Sequence, residues 1–496
     1  MTPVADAPET LPPDPARAVP AVAHLLTPVS LAHPFWVHFE AHRAQPFPFL
    51  LDSANAMNGL GRFSFLGSRP VAVFRAKRAA GGLADVTVTE GRHVTRTTAD
   101  PFAELRALLH RWRVEPHEWQ PTTFPFLAGA VGYFAYEARH YVEPMPADSA
   151  DPLGLPDVHF ALYDALLAHD HETGETVLSV VGRGRDEAEA RQQAERTRDE
   201  WLAELRTFTP PPPARGSTHQ PEVTTTADRA AYTRMVTTCK EHIAAGDVFQ
   251  VCLTRRLRSP FRGDPWRLYQ ELRRLSPAPF ACYLTLPEAA VVSSSPERFV
   301  RLDADRVAES RPIKGTRPRG KTPAEDADLR RELETSEKDR AENVMIVDLV
   351  RNDLGRVSQI GTVAVPELMA IEAYATVFQM VSTIRGRLRD GLDGLDVVKA
   401  CFPGGSMTGA PKVEAMKIID RVERVERGVY SGSIGYLDYS GRLDLNIVIR
   451  TLVIKDGVAH FGTGGAVVAD SDPAGEFEET VAKVRATLAA LADTPE

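Results

Sequence analysis

Two pairs of carboxylates at i,i+3 spacing, Asp339 with Glu342 and Glu476 with Glu479, lie in stretches of helical composition. On a helix this spacing puts both carboxylates of a pair on one face. Such a face is either solvated surface or half of an oxygen-ligand site for a hard cation, of which Mg2+ keeps several waters. Lys483, four residues after Glu479, favours the solvated reading for its pair. Lys314 is a second candidate, set beside Gly315 with Pro312 and Pro318 on either side. A turn with basic flanks accounts for the segment; so does a fixed lysine whose ammonium, once desolvated, becomes a neutral nucleophile. The third candidate is Pro403-Gly-Gly-Ser-Met-Thr-Gly-Ala-Pro-Lys412, a glycine-rich loop entering helical composition at 413–420, with Pro411 near its start. Backbone amides at a helix N-terminus attract anions, and Thr408 and Lys412 add a hydroxyl and a charge. The residue order of a Walker loop is absent.

A mixed α and β scaffold must hold these groups. Strand patterns appear at 47–51, 62–66, 71–75 and 86–89, with Glu90-Gly91 as a hairpin turn, and helical periodicity at 102–112 and 186–208. The proline run from Pro210 to Pro213 and the polar stretch after it read as a linker. Beyond it, 226–245 is helical, and 248–253 is a strand with Gln250 and Cys252 on one face. Residues 443–450 alternate as one strand, placing Arg450 on the side of Asp444 and Asn446, and Asp456-Gly457 turns the chain into 458–461.

The 496 residues carry 43% hydrophobic and 25% charged side chains, enough for a large core. Lys+Arg 58 against Asp+Glu 67 gives −9, so no global basic field is available for nucleic acid or an anionic membrane, and neither is an expected partner. Four cysteines without a C-x-x-C pairing suggest neither a zinc cage nor a disulfide framework, and a reducing cytoplasm is the expected location. No apolar run nears the ~18 residues of a membrane span, and residues 1–21 read as a loose tail, not a signal peptide.

Nine ordered motifs resemble the chorismate-utilising enzymes: Gly246-Asp-Val-Phe-Gln250, Ser293-Ser-Ser-Pro-Glu-Arg298, Pro312-Ile-Lys-Gly-Thr316, Arg340-Ala-Glu-Asn-Val-Met-Ile-Val-Asp348, Arg351-Asn-Asp353, Ser406-Met-Thr-Gly-Ala-Pro-Lys412, Gly435-Tyr-Leu437, Ile449-Arg-Thr451 and Glu476-Phe-Glu-Glu479. Leu50-Leu-Asp-Ser53 and Gly61-Arg-Phe-Ser-Phe-Leu-Gly67 resemble the N-terminal part of the ammonia-using members. The resemblance implies an α+β fold, a two-lobed layered core with two antiparallel sheets flanked by helices. Its expected divisions are a tail at 1–21, an N-terminal lobe at 22–208, a proline-rich linker at 209–224 and a chorismate-binding catalytic domain at 225–496.

Three positions sort the family. Gln250 stands where water-using members resemble one another in carrying a lysine, so ammonia is the implied attacking species. Lys314 stands where aminodeoxychorismate synthases have lysine and anthranilate synthases usually alanine, and Ser276-Pro-Ala-Pro-Phe280 also resembles the former. The implied reaction turns chorismate and ammonia into 4-amino-4-deoxychorismate, a precursor of p-aminobenzoate and folate. Lys314 would be its nucleophile, with Gln250, Thr408 and Glu309 in the catalytic set.

The resemblance further assigns Tyr436, Arg450, Gly464, Gly465, Gly409, Lys412, Lys483 and Gln379 to substrate binding. Glu342, Glu479, Asp339 and Glu476 would hold Mg2+, and Leu51, Asp52, Ser53, Pro277, Pro279 and Phe280 would form a tryptophan pocket. Gln379 departs from the family, which normally has histidine there, and a glutamine cannot serve as a general acid or base near neutral pH. No Gly-x-Cys-Leu-Gly glutaminase elbow occurs, so a separate glutamine amidotransferase is the expected ammonia source. The rivals are component I of anthranilate synthase and a non-catalytic subunit binding chorismate or tryptophan.

Overall fold

The computed structural model describes residues 21–54, 60–146, 149–212, 220–374 and 377–495. The expected tail up to residue 20 and linker residues 213–219 lie outside them. Ala21, expected in the tail, begins the strand Ala21–Pro28.

Two twelve-stranded antiparallel sheets carry the fold, flanked by helices, and each is built from both halves of the chain. In the first, Phe49–Asp52 pairs with Phe280–Thr285, so that Ala281 faces Asp52 and Tyr283 faces Leu50. In the second, Gly129–Phe134 pairs with Ser433–Asp438, with Val131 opposite Tyr436. An apolar layer including Phe49, Phe65, Phe126, Val291, Ile434 and Val453 draws on both sheets and both chain halves.

The sequence periodicity locates most elements within a few residues. The expected helices are found at Pro101–Arg111, Glu187–Thr207 and Arg229–Ala244, each begun by an aspartate side chain that accepts a first-turn amide hydrogen bond. The expected run at 443–450 is not one strand. Leu443–Asn446 belongs to the second sheet and Thr451–Lys455 to the first, and between them Arg450 adopts the left-handed conformation, φ 50°. Alternating hydrophobicity cannot register a strand that changes sheets, because both segments keep a buried apolar face.

Another passage between the sheets runs from Ala290–Ser295 to Arg298–Leu302, through Pro296 and Glu297. The two crossings are tied together: Ile447 N–H donates to the Glu297 carbonyl at 2.9 Å, and Ser295 Oγ donates to the Ile447 carbonyl at 2.5 Å.

Away from the crossings, His42 is fully buried, stacked on Trp201 at 4.3 Å, with its Nε2 unpartnered. Burial, then the charge of Arg69, lowers its pKa to about 3. The folded protein cannot take up the proton that the unfolded chain accepts below its ordinary value of 6.5, so His42 costs stability increasingly as pH falls from 6.5 toward 3. His42→Gln is therefore expected to gain on the parent protein by about 2 kcal/mol between pH 7 and pH 5 in urea unfolding. A stability difference independent of pH would contradict this.

Candidate active site

Glu297 and Arg450, one from each crossing, line a cavity of about 830 Å³ between the sheets and the helix Pro473–Lys483. Glu297 is buried, and that burial, partly offset by Lys314 and a hydrogen bond from Ser406, raises its pKa to about 7. A carboxyl raised this far toward neutrality can carry the proton that a general acid donates. The Arg450 side chain is exposed into the cavity; the protein around it still desolvates the guanidinium and lowers its pKa, and no carboxylate pairs with it among the described residues. An unpaired guanidinium in such a setting awaits an anionic ligand.

Lys314 enters from the strand Ile313–Pro318. Its register against Val377–Arg387 slips between Ile313, opposite Val381, and Thr316, opposite Gln379. The irregularity aims the side chain off the sheet. Gly315 has φ 82°, and a Cβ there would come within 2.9 Å of the Asp339 side chain. Only glycine permits both the turn and that approach. Gln379, on the partner strand, lines the cavity as well.

The acidic wall comes from two helices. Glu337–Gly355, capped by Ser336, brings Asp339 and Glu342; Pro473–Lys483, capped by Asp472, brings Glu476 and Glu479. Asp339 accepts from Arg317 at 3.1 Å, and Glu479 pairs with Lys483 at 2.7 Å, whose ammonium also donates to the Gly464 carbonyl at 2.8 Å. Glu476 accepts from Ser471 at 2.6 Å, but its Oε2 is buried without a partner. A Cβ at Gly465 would lie 2.9 Å from that atom and 3.5 Å from Glu479 Oε1, so the strand backbone passes directly under both carboxylates. Burial raises the pKa of Glu342 and of Glu476, and the charge of Glu479 adds to both shifts. Glu479 itself is held below the usual range because Lys483 and Lys338 outweigh its burial.

No three metal-ligating side chains converge into a preformed cage among the described residues. Even so, the unpartnered buried Glu476 Oε2 and the repulsion of Glu479 with Glu342 on one side and with Glu476 on the other fit a hard divalent cation among these carboxylates.

Several expected site residues lie elsewhere. Glu309 does not reach the cavity, because Arg298 at 3.0 Å and Arg385 at 2.7 Å hold its buried carboxylate. Lys412 is not free for substrate; its ammonium donates to Asp353 and to the Cys401 carbonyl, each at 2.7 Å. Thr408 and Gly409 sit behind the cavity lining, which the loop reaches through Ser406 and Met407. Gln250 is buried with both amide atoms unpartnered, one alternation along its strand from Cys252, which does line the cavity.

Tyr436 is absent from this lining. It stacks on Phe126 at 4.4 Å and walls a second cavity of about 350 Å³. The tyrosine on the main cavity is Tyr430, whose ring packs against Gly462, and nothing in its local sequence pattern marks it. Of the expected tryptophan-pocket residues, Leu51, Asp52, Ser53, Pro279 and Phe280 line the second cavity and Pro277 does not. Glu297 is the buried cavity carboxyl that sequence reasoning did not single out, although it lies inside Ser293-Ser-Ser-Pro-Glu-Arg298.

Residues 61–489 match the family of the chorismate binding enzyme. The chain is 45% identical to the aminodeoxychorismate synthase of Streptomyces pristinaespiralis over 90% of its own length, and spans 62% of that protein's. It is 39% identical to anthranilate synthase component 1 of Acinetobacter calcoaceticus, covering 89% of each chain. The crystal structure of anthranilate synthase component I from Streptococcus pneumoniae TIGR4 superposes with a TM-score of 0.73 at 28% identity, over 86% of this chain and 92% of that one. On fold, motifs and cavity alike, the chain belongs to the chorismate binding enzymes.

Proposed function

We propose that the protein is an aminodeoxychorismate synthase subunit, replacing the C4 hydroxyl of chorismate with the amino group of ammonia. The observation that carries this reading is Lys314, brought by its irregular strand into the cavity that holds Glu297 and Arg450. The anthranilate-forming alternative needs no lysine there. Relatives of both kinds are close in identity, 45% and 39%, and it is Lys314 that supports the first reading.

In this mechanism Arg450 takes the enolpyruvyl carboxylate, with Tyr430 and the Gly464-Gly465 backbone completing its seat. The Lys314 amine attacks C2 while the C4–O bond breaks, and Glu297 gives its proton to the departing hydroxyl, which leaves as water. Ammonia then attacks C4 and expels the lysine from C2. Glu342, Glu476 and Glu479 would hold Mg2+, which when bound supplies positive charge for the ring carboxylate. Gln379 offers only neutral hydrogen bonds, which suits a reaction that keeps the pyruvyl group. Ammonia is assigned to a separate glutamine amidotransferase, the cytoplasm to the protein's location, and tryptophan to the smaller cavity.

Arg450→Ala is expected to raise the chorismate KM by about 10- to 100-fold, the equivalent of one charged hydrogen bond; unchanged KM and kcat would remove Arg450 from the site. The reading as a whole is tested by mass analysis of the product from chorismate, Mg2+ and an ammonium salt. Aminodeoxychorismate, which retains the enolpyruvyl group, is expected; anthranilate would overturn the assignment. Glutamine should replace ammonia only when an amidotransferase is added.

A further inference from the structure

Behind Glu297 lies a third cavity of about 20 Å³, walled by Glu297, Arg298, Ser310, Asp353, Ser406 and apolar neighbours, with the Arg298 guanidinium already paired to Glu309 and Asp444. A space above ~10–15 Å³ with several polar walls accommodates one water. Asp353, from the Arg351-Asn-Asp353 motif, is deeply buried, and its Oδ2 takes the Lys412 ammonium at 2.7 Å. Its Oδ1 makes no hydrogen bond among the described residues. We propose that one water in this cavity hydrogen-bonds Glu297 to the Asp353–Lys412 ion pair, making Asp353 a positioning residue for the acid that protonates the leaving hydroxyl. This rests on the function proposed above.

The geometry gives the link its direction. Glu297 faces Lys314 and the Ile313 amide from one strand, Lys483 from the helix Pro473–Lys483, and Ser406 from the glycine-rich loop. Asp353 faces Lys412 from the helix Lys412–Glu423, Arg356 at the end of its own helix, and Glu143. Cations dominate around Glu297, and the Asp353 charge cancels that of Lys412. Asp353→Asn would leave Lys412 uncompensated and favour the Glu297 carboxylate over its acid form.

The experiment follows chorismate turnover by the whole chain, with ammonium salt and Mg2+, against pH. In Asp353→Asn the falling alkaline limb should move at least half a pH unit toward acid. In the charge-free double variant Asp353→Asn/Lys412→Met it should return to its original place. Val350→Ile, which fills the cavity and leaves both charges, should lower kcat several-fold with the chorismate KM unchanged. An unmoved limb in Asp353→Asn, with only Tm lowered, would make the pair merely structural, and an unaltered kcat in Val350→Ile would exclude the water. If the parent protein makes no aminodeoxychorismate, both this inference and the function fail; parent turnover with an unmoved limb sinks this inference alone.

Discussion

Glu297→Gln is expected to cut kcat for chorismate by about 10²- to 10⁴-fold, the range of a positioned general acid, with little change in KM. Glutamine keeps the shape and the hydrogen bonds from Ser406 and the Ile313 amide, but has no proton to give. The acid is poised by enclosure: burial pushes it up to about 7, while Lys314 and Lys483 keep it from rising further. Activity that depends on it should therefore fall as pH rises through the neutral range, and the glutamine variant should lose that limb. A kcat within tenfold of the parent protein would leave Glu297 a structural carboxyl. Glu297→Asp, a methylene shorter, should retain more activity than the glutamine variant.

Lys314→Ala should lower kcat by on the order of 10³-fold or more, since it removes the group that forms the intermediate bond. The competing role, a cation paired with the dianionic substrate, predicts chiefly a higher KM. Lys314→Arg separates the two, because arginine keeps the charge but is not a nucleophile at accessible pH. The arginine variant should be nearly as inactive as alanine; recovery of most of the parent activity would assign Lys314 to binding.

Lys314, Arg450, Gln379, Asp339, Glu342 and Glu479 come from segments far apart in sequence, and the fold brings them to one cavity. Positions set by the two sheet crossings were not legible. Residues 443–450 alternate without a break, so nothing local announced that Arg450 leaves the second sheet in a left-handed conformation. The resemblance put Tyr436 at the substrate, but the pairing of Ser433–Asp438 with Gly129–Phe134 leaves Tyr436 on the smaller cavity, and Tyr430 lines the larger one.

Glu309 and Lys412 illustrate a second limit. A charged residue in a functional motif reads the same whether it serves a ligand or a buried ion pair, and Arg385 and Asp353 are distant in sequence from the groups they neutralise. Glu297 is the converse case. Its chemistry comes from enclosure, which no spacing rule reports, and the proline before it marks only that a strand ends.

The central claim is the covalent role of Lys314, and its most direct test is the mass of the peptide that contains it. The protein is incubated with chorismate and Mg2+ in the absence of ammonia, quenched and digested. An adduct of the dehydrated substrate on the Lys314 peptide, absent from Lys314→Ala and discharged when ammonium salt is added before quenching, is the predicted result. An unmodified peptide, together with an alanine variant that still makes aminodeoxychorismate from ammonia at a comparable rate, would contradict it and leave direct attack by ammonia as the mechanism.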